Sequence, residues 1–172
     1  MNLKEQLNPK EMNMAMLESM MRGLMECSPF GYRSILYSMG FRAGQTLHTL
    51  TSQEADATLT SHLQKAASKL KAMGIGQLEI EKISLQEGRI ELSLTGNMEC
   101  MVGRSLQGYA GASLTIGLIE GLLSETLKTP VHATETSCIA KGSDKCRFTI
   151  QIINKTPTHN GTPGFPENQP NP

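Results

Sequence analysis

Along the first half of the chain, apolar side chains recur every three to four residues. In residues 9–27, PKEMNMAMLESMMRGLMEC, the side chains of Met14, Leu17, Met21, Leu24 and Met25 share one face at a 3.6-residue period, and the segment is rich in helix formers. Ser28 and Pro29 punctuate the pattern, a serine suited to cap and a proline suited to the first turn of a second helix. That helix places Tyr32, Ile35, Leu36, Met39, Ala43, Leu47 and Leu50 on one side. Gly40 and Gly44 lie on its flank, where a missing side chain lets another helix or a ligand come close. After Thr51 and Ser52, a third helix is expected from SQEADATL onward, with a capping arrangement at its start and an end at Gly74 or Gly76.

The period then changes. QLEIEKISL and RIELSLTG alternate with period two across Glu87-Gly88, which predicts a β-hairpin with one polar face. GRSLQGYAGASLTIGLIEGLLSETLK returns to helical spacing through Leu106, Tyr109, Leu114, Leu118, Leu122 and Leu123. Each glycine in a helix costs about 1 kcal/mol relative to alanine, so Gly108, Gly111, Gly117 and Gly121 point to close packing of a buried helix. VHATETSC and CRFTIQII form a second hairpin, in which Cys146, Phe148, Ile150 and Ile152 share the covered face and Arg147, Thr149 and Gln151 the wet one. Three helices, a hairpin, a buried helix and a hairpin argue for an α+β fold with helices on one face of a four-stranded antiparallel sheet. The cleft expected between the two layers suits an apolar ligand.

The reading divides the chain into a flexible N-terminus (1–8), one domain (9–153) and a disordered tail (154–172) dense in Pro, Asn and Gly. Sixteen basic and sixteen acidic side chains cancel, which argues against nucleic acid as a partner. The most apolar run, 106–123, is broken by Gln107 and Glu120 and does not match a spanning segment of about 20 apolar residues. With no secretory signal and few cysteines, a soluble cytoplasmic protein is expected. There is no Trp, and eleven methionines make the core, or a pocket in it, adaptable.

The chemistry concentrates in ETSCIAKGSDKCRF, residues 135–148. Two thiolates and a carboxylate, Cys138, Cys146 and Glu135, can fill three tetrahedral positions on a zinc ion. Strict alternation puts Glu135 and Cys138 on opposite faces unless the strand bulges or ends between them. Cys100, just after the second strand, is the first candidate for a fourth ligand; His132 and Cys27 are weaker ones. The alternatives are a pair of buried reduced thiols and, third, a redox pair of Cys138 and Cys146. His48, His62 and His159 are expected in solvent, and so is Glu120. No phosphate loop, nucleophile elbow, HExxH motif or dinucleotide fingerprint is present, so enzymatic chemistry has no support of its own and is left open.

Residues 117–150 resemble the C-terminal signature of 4-vinyl reductase domains, a glycine-rich helix leading to an E-x-x-C-x-A-x-G-x-x-x-C-x-F hairpin. Glu135, Cys138, Ala140, Gly142, Cys146 and Phe148 stand at those positions, and LYSMGFRAGQTL, residues 36–47, is similar to the family's helix with paired glycines. The resemblance spans roughly 29–153. It implies the ligand-binding fold of TRAPP trafficking subunits and of effector-sensing domains of aromatic-responsive regulators, which are generally dimers that hold hydrophobic small molecules.

The function it implies is a carrier, sensor or assembly factor for a tetrapyrrole or hydrocarbon-like ligand. The protein would be a homodimer formed through its N-terminal helices, or a hetero-oligomer with a related subunit. The alternatives are a subunit of a 4-vinyl (proto)chlorophyllide reductase in chlorophyll biosynthesis and a scaffold subunit of a larger complex. In the effector-sensing relatives, zinc takes a Glu-x-x-Cys-x7-Cys group and an earlier cysteine on the glycine-rich helix. Glu135, Cys138 and Cys146 match that group, but the earlier position falls near Ala112 or Ser113, so Cys100 has to substitute for it.

Overall fold

The switch from helical to alternating periodicity is realised as two layers in the computed structural model, which describes residues 9–52 and 58–153. Three helices come first: α1 (Pro9–Cys27), α2 (Tyr32–Thr51) and α3 (Leu59–Ala72), the last capped by the Thr58 hydroxyl, which accepts from the Ser61 N–H at 3.2 Å. Strands β1 (Gln77–Ser84) and β2 (Arg89–Thr95) form the first hairpin, and Gly88 supplies the positive φ of 62° that its turn requires. A short helix α4 (Met98–Gly103), the long helix α5 (Ser113–Leu127), β3 (Val131–Ser137), a 3-10 turn (Ile139–Lys141) and β4 (Cys146–Ile152) complete the order. The 1–8 and 154–172 segments, and residues 53–57 at the expected start of the third helix, lie outside the described residues.

The sheet runs β1-β2-β4-β3, antiparallel throughout, so the two hairpins are joined through β2 and β4. Alternation sets its faces. Ile90, Leu92, Leu94, Cys146, Phe148 and Ile150 are buried beneath α3 and α5. The other face carries charge: Lys145 Nζ lies 2.6 Å from Glu81 and 3.0 Å from Ser93 Oγ, and Arg147 approaches the same glutamate. A bulge between Ile80 and Lys82 turns Glu81 toward this cluster. A second apolar cluster of Met21, Tyr32, Leu36, Val102 and Leu106 holds α1 and α2 against α4.

Two expectations about helices change. The glycine-rich stretch is not one helix: Gly108 and Gly111 adopt φ of 83° and 126°, so α4 ends at Gly103 and a 104–112 loop precedes α5. The buried side of α2 is also rotated from the apolar stripe. It runs through Tyr32, Leu36, Gly40, Gly44 and Leu47, while Ile35, Met39 and Leu50 are exposed. The reason is α5, which lies directly on the α2 glycines. A Cβ on Gly40 would sit 1.9 Å from the Leu114 carbonyl oxygen, and one on Gly117 would sit 2.1 Å from that of Tyr37. This contact fills the space between α2 and α5, and clefts open at its margins instead.

Candidate metal centre and ligand clefts

Four elements converge on one buried point behind the sheet. Cys100 comes from α4, Glu135 from β3, Cys138 from the start of the 3-10 turn and Cys146 from the first position of β4, and their ligand atoms all lie within 4.8 Å of one another. Hairpin geometry explains three of them. A register shift between Glu135 and Ser137 breaks the alternation, so Glu135 and Cys138 reach the same side. The turn then closes through the Lys141 and Ser143 N–H groups, both donating to the Cys138 carbonyl, with Gly142 at φ 94°.

Cys100 arrives by a different route. Asn97 caps α4 by accepting from the Glu99 N–H at 3.1 Å, and its amide donates to Cys100 Sγ at 3.3 Å and Cys146 Sγ at 3.6 Å. Cys138 Sγ lies 3.5 Å from Cys100 Sγ. The position near Ala112 keeps a role of its own, because the Ala112 N–H donates to Glu135 Oε2 at 3.4 Å. The loop residue thus binds the carboxylate through its backbone, and the thiol comes from α4. His132 and Cys27, the weaker candidates, are elsewhere: His132 pairs with Glu120, and Cys27 is exposed at the end of α1.

The thiols differ in acidity. Cys146 is lowered to about 7, chiefly by hydrogen bonding with Cys100 and further by the Ile139 N–H and the Asn97 amide, against the effect of burial. Cys138 is raised to about 11 by burial and by its hydrogen bond with Glu135. Cys100 is pushed up by its hydrogen bond with Cys146 and by burial. One thiolate beside two protonated thiols is the arrangement expected when three sulfurs share a small site.

The donor set tests well against zinc. A tetrahedral ion with Zn–S bonds of about 2.3 Å needs sulfurs about 3.7 Å apart, and three thiols with one carboxylate form a four-donor shell. Tyr109 lies beside it, its hydroxyl 3.4 Å from Cys100 Sγ and its ring against Gly103, where a Cβ would be 2.5 Å away. Asn97, Glu99 and Tyr109 carried no signal in the one-dimensional spacing. Glu99 is 2 % exposed and accepts from the Leu114 and Thr115 N–H groups, closing the start of α5; burial, opposed by these hydrogen bonds, raises it to about 7.

Two further expectations are corrected. Glu120 is buried, not in solvent: it accepts from the Ala133 N–H at 2.7 Å and the Tyr37 hydroxyl at 2.5 Å, which satisfies a charge inside the α2, α5 and β3 junction. His62 is buried as well, stacked on His48 at 5.7 Å between centroids. Its Nδ1 has no partner among the described residues. His48 is half-buried, with Nδ1 3.2 Å from Thr126 Oγ1. His159 lies outside the described residues.

A cleft of about 330 Å³ lies between α1, the start of α2 and the 104–112 loop, with Met25, Pro29, Tyr32 and Leu106 as apolar lining and Arg22 and Glu26 among its polar groups. The same loop borders the thiol cluster: Tyr32 donates to the Gly108 carbonyl at 3.0 Å on the cleft side, and Tyr109 and Ala112 meet the cluster on the other. Among the described residues, no helix is long and apolar enough to cross a membrane.

Comparison with known proteins places this architecture. The family model of the vinyl-4-reductase domain matches residues 112–152. An uncharacterized protein of Methanocaldococcus jannaschii is 31% identical over 129 residues, which cover 73% of this chain and 68% of that protein. The phenol-responsive sensory domain of the transcription activator PoxR, solved with phenol, superposes with a TM-score of 0.71 at 20% identity, covering 81% of this chain and 74% of that one. A trafficking protein particle complex subunit 3 from Naegleria fowleri, covalently bound to palmitic acid, gives 0.62 at 13% identity, covering 87% and 97%. A vinyl-4-reductase family protein from M. jannaschii gives 0.53 at 19%, covering 90% and 99%. The fold is therefore the one shared by the sensory domain and the trafficking subunit, and the chain belongs to the vinyl-4-reductase, or 4-vinyl reductase, domain family.

Proposed function

We propose that the domain is a binding module for a hydrophobic small molecule, held in the cleft between α1, α2 and the 104–112 loop, with a zinc ion at Cys100, Glu135, Cys138 and Cys146. The observation that carries this reading is the shared loop, bonded to the cleft through Tyr32 and Gly108 and to the cluster through Tyr109 and Ala112. Bound zinc would supply a fixed cross-link between α4, β3 and β4 without redox chemistry. Tyr109 and the Ala112 amide then hold the loop against that anchor, and the loop presents Leu106 and Gly108 as the cleft wall.

A volume of about 330 Å³ is at the small end of the ~300–1,000 Å³ usual for ligand pockets, which favours a hydrocarbon-like compound over a tetrapyrrole. The likeness to a phenol-responsive domain and to a palmitate-bearing subunit supports the same class of ligand. Met12, Met16 and Met20 form an exposed apolar stripe along α1 that supports pairing of the N-terminal helices in a dimer. Carrier, sensor and assembly roles all use such a module.

Native mass spectrometry with elemental analysis of the full chain tests the reading, with phenol and palmitate as added probes. The expected result is one zinc per chain and a saturable probe complex that Leu106→Trp abolishes while zinc is retained. A protein that binds neither probe, or a Leu106→Trp variant that binds as before, would overturn the cleft assignment. Absence of zinc would overturn the metal assignment separately.

A further inference from the structure

A second cleft, of about 540 Å³, opens between α2, the first half of α5 and β3, and it shares no lining residue with the first. Its floor is the buried Glu120 carboxylate. That group already accepts from the Ala133 N–H and the Tyr37 hydroxyl, and His132 Nδ1 lies 3.2 Å from its Oε1. Its negative charge is committed to the fold, and so is one nitrogen of His132. Arg33 is in the opposite condition. Its Nε donates to Ser113 Oγ at 3.3 Å, which steadies the side chain, and among the described residues it pairs with no carboxylate. The terminal guanidinium nitrogens present the planar fork that matches a carboxylate.

The apolar part of the lining is also unsatisfied. Phe30 is fully exposed, at 102% of its reference area, and Ile116 lines the same cleft. A neutral hydrocarbon would cover these two but would desolvate an unpaired guanidinium, which is costly. A phosphate dianion would find one free cation where it prefers several. A monoanion carried on a flat ring satisfies both parts of the lining.

We propose that this cleft is a second binding site, one that takes a small aromatic carboxylate, with Arg33 holding the carboxylate and Phe30 and Ile116 covering the ring. His132 is left with Nε2 to meet a polar ring substituent.

The test is an NMR titration of the full chain with benzoate, followed at the amides of Ser34, Ile116 and His132, with benzamide and acetate as controls. Benzoate should saturate these shifts, with benzamide and acetate each at least about tenfold weaker, because one loses the charge-assisted bonds and the other the ring. Arg33→Met should weaken benzoate by at least about tenfold and Arg33→Lys by less. Phe30→Ala, which removes a side chain with no packing role, should weaken benzoate and leave acetate unchanged. Equal binding of benzoate and benzamide, undiminished benzoate affinity in Arg33→Met or Phe30→Ala, or shifts confined to Leu106 and Gly108 would overturn the proposal.

Discussion

Replacing Gly117 with alanine isolates the contact on which the helical layer depends. On propensity alone the change should stabilise α5 by about 1 kcal/mol. The structure opposes this, because the new Cβ would lie 2.1 Å from the Tyr37 carbonyl oxygen and 2.8 Å from the Phe41 nitrogen, both backbone atoms of α2. Reaching an ordinary contact of 3.4 Å requires the helices to part by about 1.3 Å, and no side chain can rotate away to allow it. Overpacking of this kind costs ~1–3 kcal/mol, and the rigid neighbour puts it at the upper end, so the net loss is about 2 kcal/mol. For a chain of this size that lowers Tm by roughly 4–8 °C.

Gly23 is the internal control. It lies within α1 with nothing inside 4 Å of its virtual Cβ, so Gly23→Ala should be stabilising by up to about 1 kcal/mol. Urea and thermal denaturation of the two variants beside the parent protein measure both signs. Gly40→Ala combined with Gly117→Ala should cost less than the sum of the single changes, since helices already parted at one point admit the second methyl more easily. A Gly117→Ala protein as stable as Gly23→Ala would refute the close crossing.

Two further outcomes follow from the titrating groups. Zinc binding should displace the protons of Cys100 and Cys138, both raised, while Cys146 at about 7 is already a thiolate above neutrality. Affinity measured by chelator competition should therefore rise about 100-fold per pH unit above pH 8 and about 1,000-fold per unit below pH 7, falling by one power of ten per unit in Cys100→Ser; a pH-independent affinity would contradict the site. Tyr37 is raised from 10.0 to about 12 by burial, then by its hydrogen bond with Glu120 and that group's charge. The folded state then holds this proton longer than the unfolded one, so its contribution to stability is complete below pH 10 and is lost as pH climbs through about 12; ultraviolet titration of Tyr37→Phe should lack the late phenolate transition.

The strands and most helix ends were legible because their signals are local. Alternation in residues 77–84 and 89–95 follows from the two-residue repeat of a half-covered sheet, and Gly88 marks the hairpin turn. The hairpin with Glu135, Cys138 and Cys146 was legible for the same reason, since three of the four clustered donors lie within a dozen residues of chain. The break at 104–112 was missed because leucines at helical spacing outweighed two glycines whose positive φ only the folded chain reveals. The exposed placement of Ile35 and Met39 was missed because an apolar stripe predicts burial, whereas α5 chose the face with the smallest residues.

By itself, then, the order of periods and turns determined an α+β chain with helices on one side of an antiparallel sheet, and the thiol hairpin determined where metal chemistry belongs. Tertiary structure decided that Cys100 reaches that hairpin across 38 residues, that Asn97 and Tyr109 surround it, and that Glu120 is buried. The physical reason is satisfaction at a distance. A carboxylate or thiol can enter the interior only when donors from other elements meet it there, and the positions of those donors are a property of the packed fold.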